Sequence, residues 1–211
     1  MIRSHVIRKW KPCLAAIAFV SFFLLGWADT WEALQRESAK IASVSAYFTQ
    51  SKHMKILSRP LVSQGRFYFQ APNSVRWEYS APVKSVLLMS PGGIKRYTSG
   101  SGGFVEDASA RLTSMQIVLQ EISRWSRGQF TNNEHFSASL ERGKEPRIVL
   151  TPREKGLADM ISRIVIVLSP DRPGVIRSVQ IFENKGNYTL FEFRDVQLNV
   201  PLKASLFREP G

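Results

Sequence analysis

Hydrophobic positions along this chain repeat first at helical steps and then, for most of its length, at every second residue. From Thr30 to about Ser43, Trp31, Leu34, Ile41 and Ala42 fall near one stripe and Glu32, Arg36, Glu37 and Lys40 elsewhere, predicting an amphipathic helix. From Val44 the period becomes two. Residues 62–70 put Gly65, Phe67 and Phe69 on one face and Gln64, Arg66, Tyr68 and Gln70 on the other. Residues 75–79 alternate Val75, Trp77 and Tyr79 against Arg76 and Glu78, and the intervening Ala71-Pro72-Asn73-Ser74 is turn chemistry. Further strands are expected at 84–90, 94–98, 104–107, 134–141, 146–152, 161–169, 174–183 and 187–195, with Gly, Pro or Asn between most of them. Strands at such short intervals, joined by turns, predict an antiparallel all-β architecture and not βαβ units.

One helical stretch interrupts the strands. Leu112, Met115, Val118, Leu119, Ile122 and Trp125 recur at three- and four-residue steps, and Gly128 closes the run. Several strands are apolar on both faces, as in Ile164-Val165-Ile166-Val167-Leu168. Such a sheet needs cover on each side, and the two amphipathic helices are the cover the pattern offers. The expected fold is therefore mainly β: an incomplete antiparallel β-barrel, or strongly curved sheet, covered by an N-terminal helix and a mid-chain helical lid. Which strand faces point inward is not fixed by the pattern.

The N-terminus departs from this picture. Arg3, Arg8, Lys9 and Lys11 precede an uncharged apolar run at 13–26, and Gly26-Trp27-Ala28 sets small residues just before Asp29. That is the layout of a signal peptide cleaved near Ala28-Asp29, with an apolar core shorter than the ~20 residues of a spanning helix. Residues 1–28 are thus expected to be removed on export to the periplasm, and 29–211 to form a single domain. The formal net charge of +12 falls by those four basic residues to +8, and Cys13, the one cysteine of the 211 residues, is lost. A mature chain without thiols suits an oxidising compartment and excludes a disulfide framework. The remaining charge suits anionic membrane surfaces or acidic partners; no basic run interleaved with aromatics points to nucleic acid.

Candidate chemistry is sparse. Gly100-Ser101-Gly102-Gly103 lacks the flanking residues of a nucleophile elbow or phosphate loop, and so does Gly143-Lys144. His53 and His135 sit in no metal-binding spacing. Glu106 and Asp107 are adjacent and point to opposite faces of a strand. With no nucleophile, base and orienter in view, the chain reads as a non-enzyme without cofactor or metal. The positive signal is apolar: aromatic residues crowd 62–70, 75–79 and 188–193, the last with Tyr188, Phe191 and Phe193. They are either an ordinary core or the lining of a hollow that holds an apolar ligand.

The order Ser45-Ala46-Tyr47-Phe48-Thr49-Gln50-Ser51-Lys52, then Ser63-Gln64-Gly65-Arg66-Phe67-Tyr68-Phe69, Pro72, Arg76-Trp77-Glu78-Tyr79 and Pro82 resembles the LolA family of periplasmic outer-membrane lipoprotein carriers. The resemblance implies a cavity that shields the acyl chains of a lipoprotein. It also implies cargo received from an inner-membrane ABC transporter (LolCDE-like) and passed to an outer-membrane acceptor. On this reading Phe48, Phe67, Phe69, Trp77, Tyr79, Leu87 and Met89 supply the cavity wall. Leu112, Met115, Leu119, Ile122 and Trp125 form the inner face of the lid, and Gly100 to Gly103 and Gly128 serve as hinges. Family members often place a basic residue before the proline of the first hairpin turn, where it helps hold the lid. Here that residue is Ala71, leaving Arg76 as the candidate latch. A carrier of a non-lipoprotein lipid or glycolipid, and a lipid-sensing envelope-stress module of the same fold, stay open as alternatives.

Overall fold

A computed structural model describes residues 31–91, 93–107, 120–183 and 186–211. The proposed signal segment and the lid positions Leu112, Met115 and Leu119 lie outside them. The described residues form helix α1 (Trp31–Ser38), strands β1 (Ser43–His53), β2 (Leu61–Gln70), β3 (Ser74–Ala81), β4 (Ser85–Ser90), β5 (Gly93–Gly100) and β6 (Gly103–Glu106), and a helix α2 over 120–126. Then come β7 (Phe136–Glu141), β8 (Arg147–Pro152), the short α3 (Lys155–Ala158), β9 (Ile161–Leu168), β10 (Ile176–Glu183), β11 (Tyr188–Leu198) and a closing 3-10 turn (Ala204–Phe207).

All eleven strands belong to one antiparallel sheet in the order β6-β5-β4-β3-β2-β1-β11-β10-β9-β8-β7. Two meanders, β1 to β6 and β7 to β11, are joined through the β1–β11 pair. The sheet does not close: β6 and β7 are its two edges, which makes it the incomplete barrel, or curved sheet, that the pattern predicts. It is strongly curved. β3 and β11 are separated by two strands, which at ~4.8 Å per step would hold them about 14 Å apart in a flat sheet. The rings of Trp77 and Phe191 instead meet at 5.2 Å, and those of Trp77 and Phe193 at 6.1 Å.

The register settles the facing question. Met89 pairs with Val75, Val75 with Phe69, and Phe69 with Val44. In the next row Leu87, Trp77, Phe67 and Ala46 align, and in the next Ser85, Tyr79, Gly65, Phe48 and Phe193. The concave face continues through Phe191, Val179, Ile166 and Ile148. Two apolar clusters result. One gathers Phe48, Phe67, Phe69, Val75, Trp77 and Met89; the other gathers Leu34, Trp125, Phe130, Phe136, Ile148, Leu150, Ile164, Ile166 and Val179. Ile122, Phe191 and Phe193 pack against both.

α1 stops at Ser38, short of the expected Ser43. The reason lies far along the chain. The Asn199 side-chain oxygen accepts from the Ala42 N–H at 2.7 Å, and its Nδ2 donates to the Lys40 carbonyl at 3.1 Å. The backbone is thereby turned out of the helix and into β1. Ser38 is itself walled in by Gly128 and Gly174, where an added Cβ would come within 2.3 and 2.6 Å of its side chain.

Cover on the convex side also has a source the pattern did not offer. The 3-10 turn packs on β3 and β4, burying Phe207 against their outer face. Val86 and Leu88 are buried on that side while Met89 is buried on the other, hence the two-sided apolar pattern of β4.

Candidate functional site

Between the two clusters the concave face leaves a cavity of about 840 Å³. That is near the upper end of the ~300–1,000 Å³ usual for small-molecule sites. Seven strands line it, among their residues Val44 and Ala46 from β1, Phe67 from β2, Trp77 and Tyr79 from β3, Leu87 from β4, Arg96 from β5, Val179 and Ile181 from β10, and Phe191 and Phe193 from β11. Ile41, Val175 and the α2 residues Ile122 and Trp125 complete the wall.

All seven wall candidates share the concave face, but in two roles. Phe67, Trp77, Tyr79 and Leu87 line the cavity. Phe48, Phe69 and Met89 are buried within the adjoining cluster and support that lining. The Phe48 ring lies 5.0 Å from that of Trp77 and meets Tyr79 edge-on at 5.2 Å. Phe191 and Phe193 belong with the wall as well. Their alternation on β11 was visible in the sequence, but their nearness to Trp77 depends on the β1–β11 pairing, which no local pattern announces.

Of the lid candidates within the described residues, Trp125 is buried and Ile122 bridges the two clusters, so α2 sits on the concave side. The candidate hinge glycines stand in two places. Gly100 and Gly103 pair with each other across the β5–β6 hairpin. Gly128, at φ +71°, is buried hard against Ser38.

Arg76 is engaged away from α2. Its guanidinium donates to the carbonyls of Leu206 at 3.1 Å, Glu209 at 2.7 Å and Pro210 at 2.7 Å, and to the Glu78 carboxylate at 2.8 Å. It fastens the C-terminal segment to the convex face, because odd-numbered β3 residues fill the concave one. The lid-latch reading of Arg76 is corrected accordingly.

The cavity is graded along the strands. Toward α1 it is apolar, with Ile41, Val44, Trp125 and Val175. Toward the opposite end it meets Gln50, Lys52, Ser63, Ser85, Arg96 and Glu183. Lys52 Nζ is 3.3 Å from Glu183, and the Thr189 hydroxyl donates to the same carboxylate at 3.2 Å. Tyr79 donates to Gln50 Oε1 at 2.6 Å, and burial pushes its phenol up to about 12. This phenol is therefore a fixed neutral donor at any physiological pH. An amphiphile is the ligand class that matches such a gradient: hydrocarbon at one end, a polar group at the other.

The family described as "Outer membrane lipoprotein carrier protein LolA" matches residues 39–209. The chain belongs to the LolA family. Among its relatives, an outer-membrane lipoprotein carrier protein from Pseudoalteromonas translucida is 25% identical over 189 residues, covering 85% of this chain and 82% of that protein. Another carrier protein of that name, from Proteus mirabilis, is 22% identical over 204 residues, covering 94% and 93%. Of solved structures, a LolA superfamily protein from Nitrosomonas europaea aligns over 84% of this chain and 97% of its own, with a TM-score of 0.43 and 9% identity. For a LolA-family protein the described site is consistent with carriage: a largely apolar hollow under a helix.

Proposed function

We propose that this LolA-family protein is a periplasmic carrier, exported through residues 1–28, that holds the acyl chains of lipoproteins in its cavity while they pass from the inner to the outer membrane. In this reading cargo arrives from an inner-membrane ABC transporter and leaves to an outer-membrane acceptor. No covalent step is required. The observation that carries it is the aromatic-lined cavity, about 840 Å³ in volume, apolar toward α1 and polar toward its other end. Each methylene left in water costs about 0.8 kcal/mol, so acyl chains crossing an aqueous gap need such a shelter. Phe67, Trp77, Tyr79, Leu87, Phe191 and Phe193 supply its walls, and Ile122 with Trp125 its cover.

The test is mass spectrometry of material co-purified with the full chain after periplasmic expression. Lipoprotein acyl groups in stoichiometric amount support the reading. The polar end of the cavity also suits a free lipid or glycolipid with a sizeable head, and recovery of that class alone would redirect the proposal to another amphiphile. Protein recovered without lipid, and unable to take up a dansyl-labelled fatty acid, would remove the carrier reading.

A further inference from the structure

Eight large apolar side chains are exposed among the described residues, and six of them lie at one end of the sheet. Ile56 and Leu57 sit on the β1–β2 turn, Leu61 and Val62 open β2, Val83 sits on the β3–β4 turn, and Met160 precedes β9. The register places these together: Lys52 pairs with Leu61, Gln64 with Ala81, and Ile161 with Glu183, which is ion-paired to Lys52. Ile56 is 84% exposed, Val83 59% and Leu61 54%. Isolated exposed aliphatics are ordinary; several gathered at one end are not.

The same two turns are cationic. Residues 54–60 and 82–84 contain Lys55, Arg59 and Lys84 and no carboxylate. All three side chains are exposed, and none forms an ion pair with a described residue. This end is also the polar end of the cavity, since Pro82 and Val83 line it beside Lys52 and Ser63.

We infer that this end docks on the surface of a bilayer containing anionic phospholipid, with the aliphatic turn residues entering the interface and Lys55, Arg59 and Lys84 meeting lipid phosphates. The chemistry is that of an interfacial anchor: a small apolar tip for the headgroup–acyl boundary, carried on two turns that hold three cations and no acid. Continuity with the cavity gives the contact a use. A mouth held against lipid lets a hydrocarbon chain enter or leave without crossing water. The inference extends the proposed carrier function, and it is separable from it because cavity binding can be measured without membranes.

The experiment attaches an NBD fluorophore at Ile56→Cys in a Cys13→Ser background, with Lys144→Cys on the exposed β7–β8 turn at the far end as the control. Vesicles are either pure phosphatidylcholine or a three-to-one mixture with phosphatidylglycerol. The expected result is blue-shifted, brightened emission at position 56 with the anionic vesicles only, and none at 144. Three cations at about fivefold each predict roughly a hundredfold weaker binding for the Lys55→Gln, Arg59→Gln, Lys84→Gln triple variant. Uptake of a dansyl-labelled fatty acid, assayed without vesicles, should stay unchanged in the variant, which shows that the fold and the cavity survive. A silent dye at 56 on both vesicle types overturns the inference, as does an equal response at 144 or undiminished binding by the triple variant. A dye that responds to solubilised membrane proteins but not to protein-free vesicles also overturns it, and reassigns the turns to a protein partner.

Discussion

At Gly65 the concave face of β2 has room for nothing larger than a hydrogen. A Cβ there would stand 1.8 Å from the Glu78 carbonyl oxygen and 2.8 Å from the Phe48 ring. The glycine lets Phe48 lie across β2 and prop Trp77 and Tyr79. Gly65→Ala should therefore cost about 1–3 kcal/mol, as overpacking of a tight core does. At about 2–4 °C per kcal/mol for a chain of this size, thermal circular dichroism should show a melting point several degrees lower. Glu121 on α2 presents the opposite case, a group whose charge is unwelcome. It is buried, and burial raises its carboxyl above the ordinary value of 4.5, while Arg124 and the Asn133 amide, 3.0 Å away, pull the other way. A raised folded-state pKa contributes stability that is present at low pH and lost as pH rises through it. Glu121→Gln should accordingly melt higher than wild type at pH 7. The gap should close as pH falls below about 4.5, as a melting series across pH would record.

Three elements, α1, β3 and β4, carry contacts that were only partly legible in the sequence. Strand positions were readable because alternation is local, and every expected strand is present within a few residues. The end of α1 was not readable, because Asn199, which turns the chain at Lys40 and Ala42, lies 157 residues beyond Ala42. Facing was ambiguous in β4 because both of its sides are buried, one by the concave cluster and one by the 3-10 turn. Arg76 was misread for a related reason: its partners are main-chain carbonyls, which leave no residue pattern to search for. Arg76→Met should orphan those carbonyls and loosen residues 204–211. Hydrogen exchange there should quicken markedly, while fatty-acid uptake stays near wild type, since the convex face takes no part in the cavity. α2 should respond the other way. Ile122→Glu puts a carboxylate between the two apolar clusters and should weaken acyl-probe binding at least tenfold, with the far-ultraviolet strand signal unchanged.

For the molecule as a whole, the cavity is a defect in an otherwise well-filled concave core, and a ligand that fills it should stabilise the fold. Saturation at a hundred times the dissociation constant contributes about 2.7 kcal/mol. At the sensitivity given above, that should raise the melting point of delipidated protein by roughly 5–10 °C on adding a bound fatty acid. An unchanged melting point at saturation would mean that the fatty acid sits elsewhere.

The strand order has one further consequence. The two edges of the sheet, β6 and β7, are consecutive in the chain, and the connection between them includes α2. On the proposed carrier reading, the cover and the two rims of the gap share one connection, so displacement of α2 and parting of β6 from β7 are expected to go together.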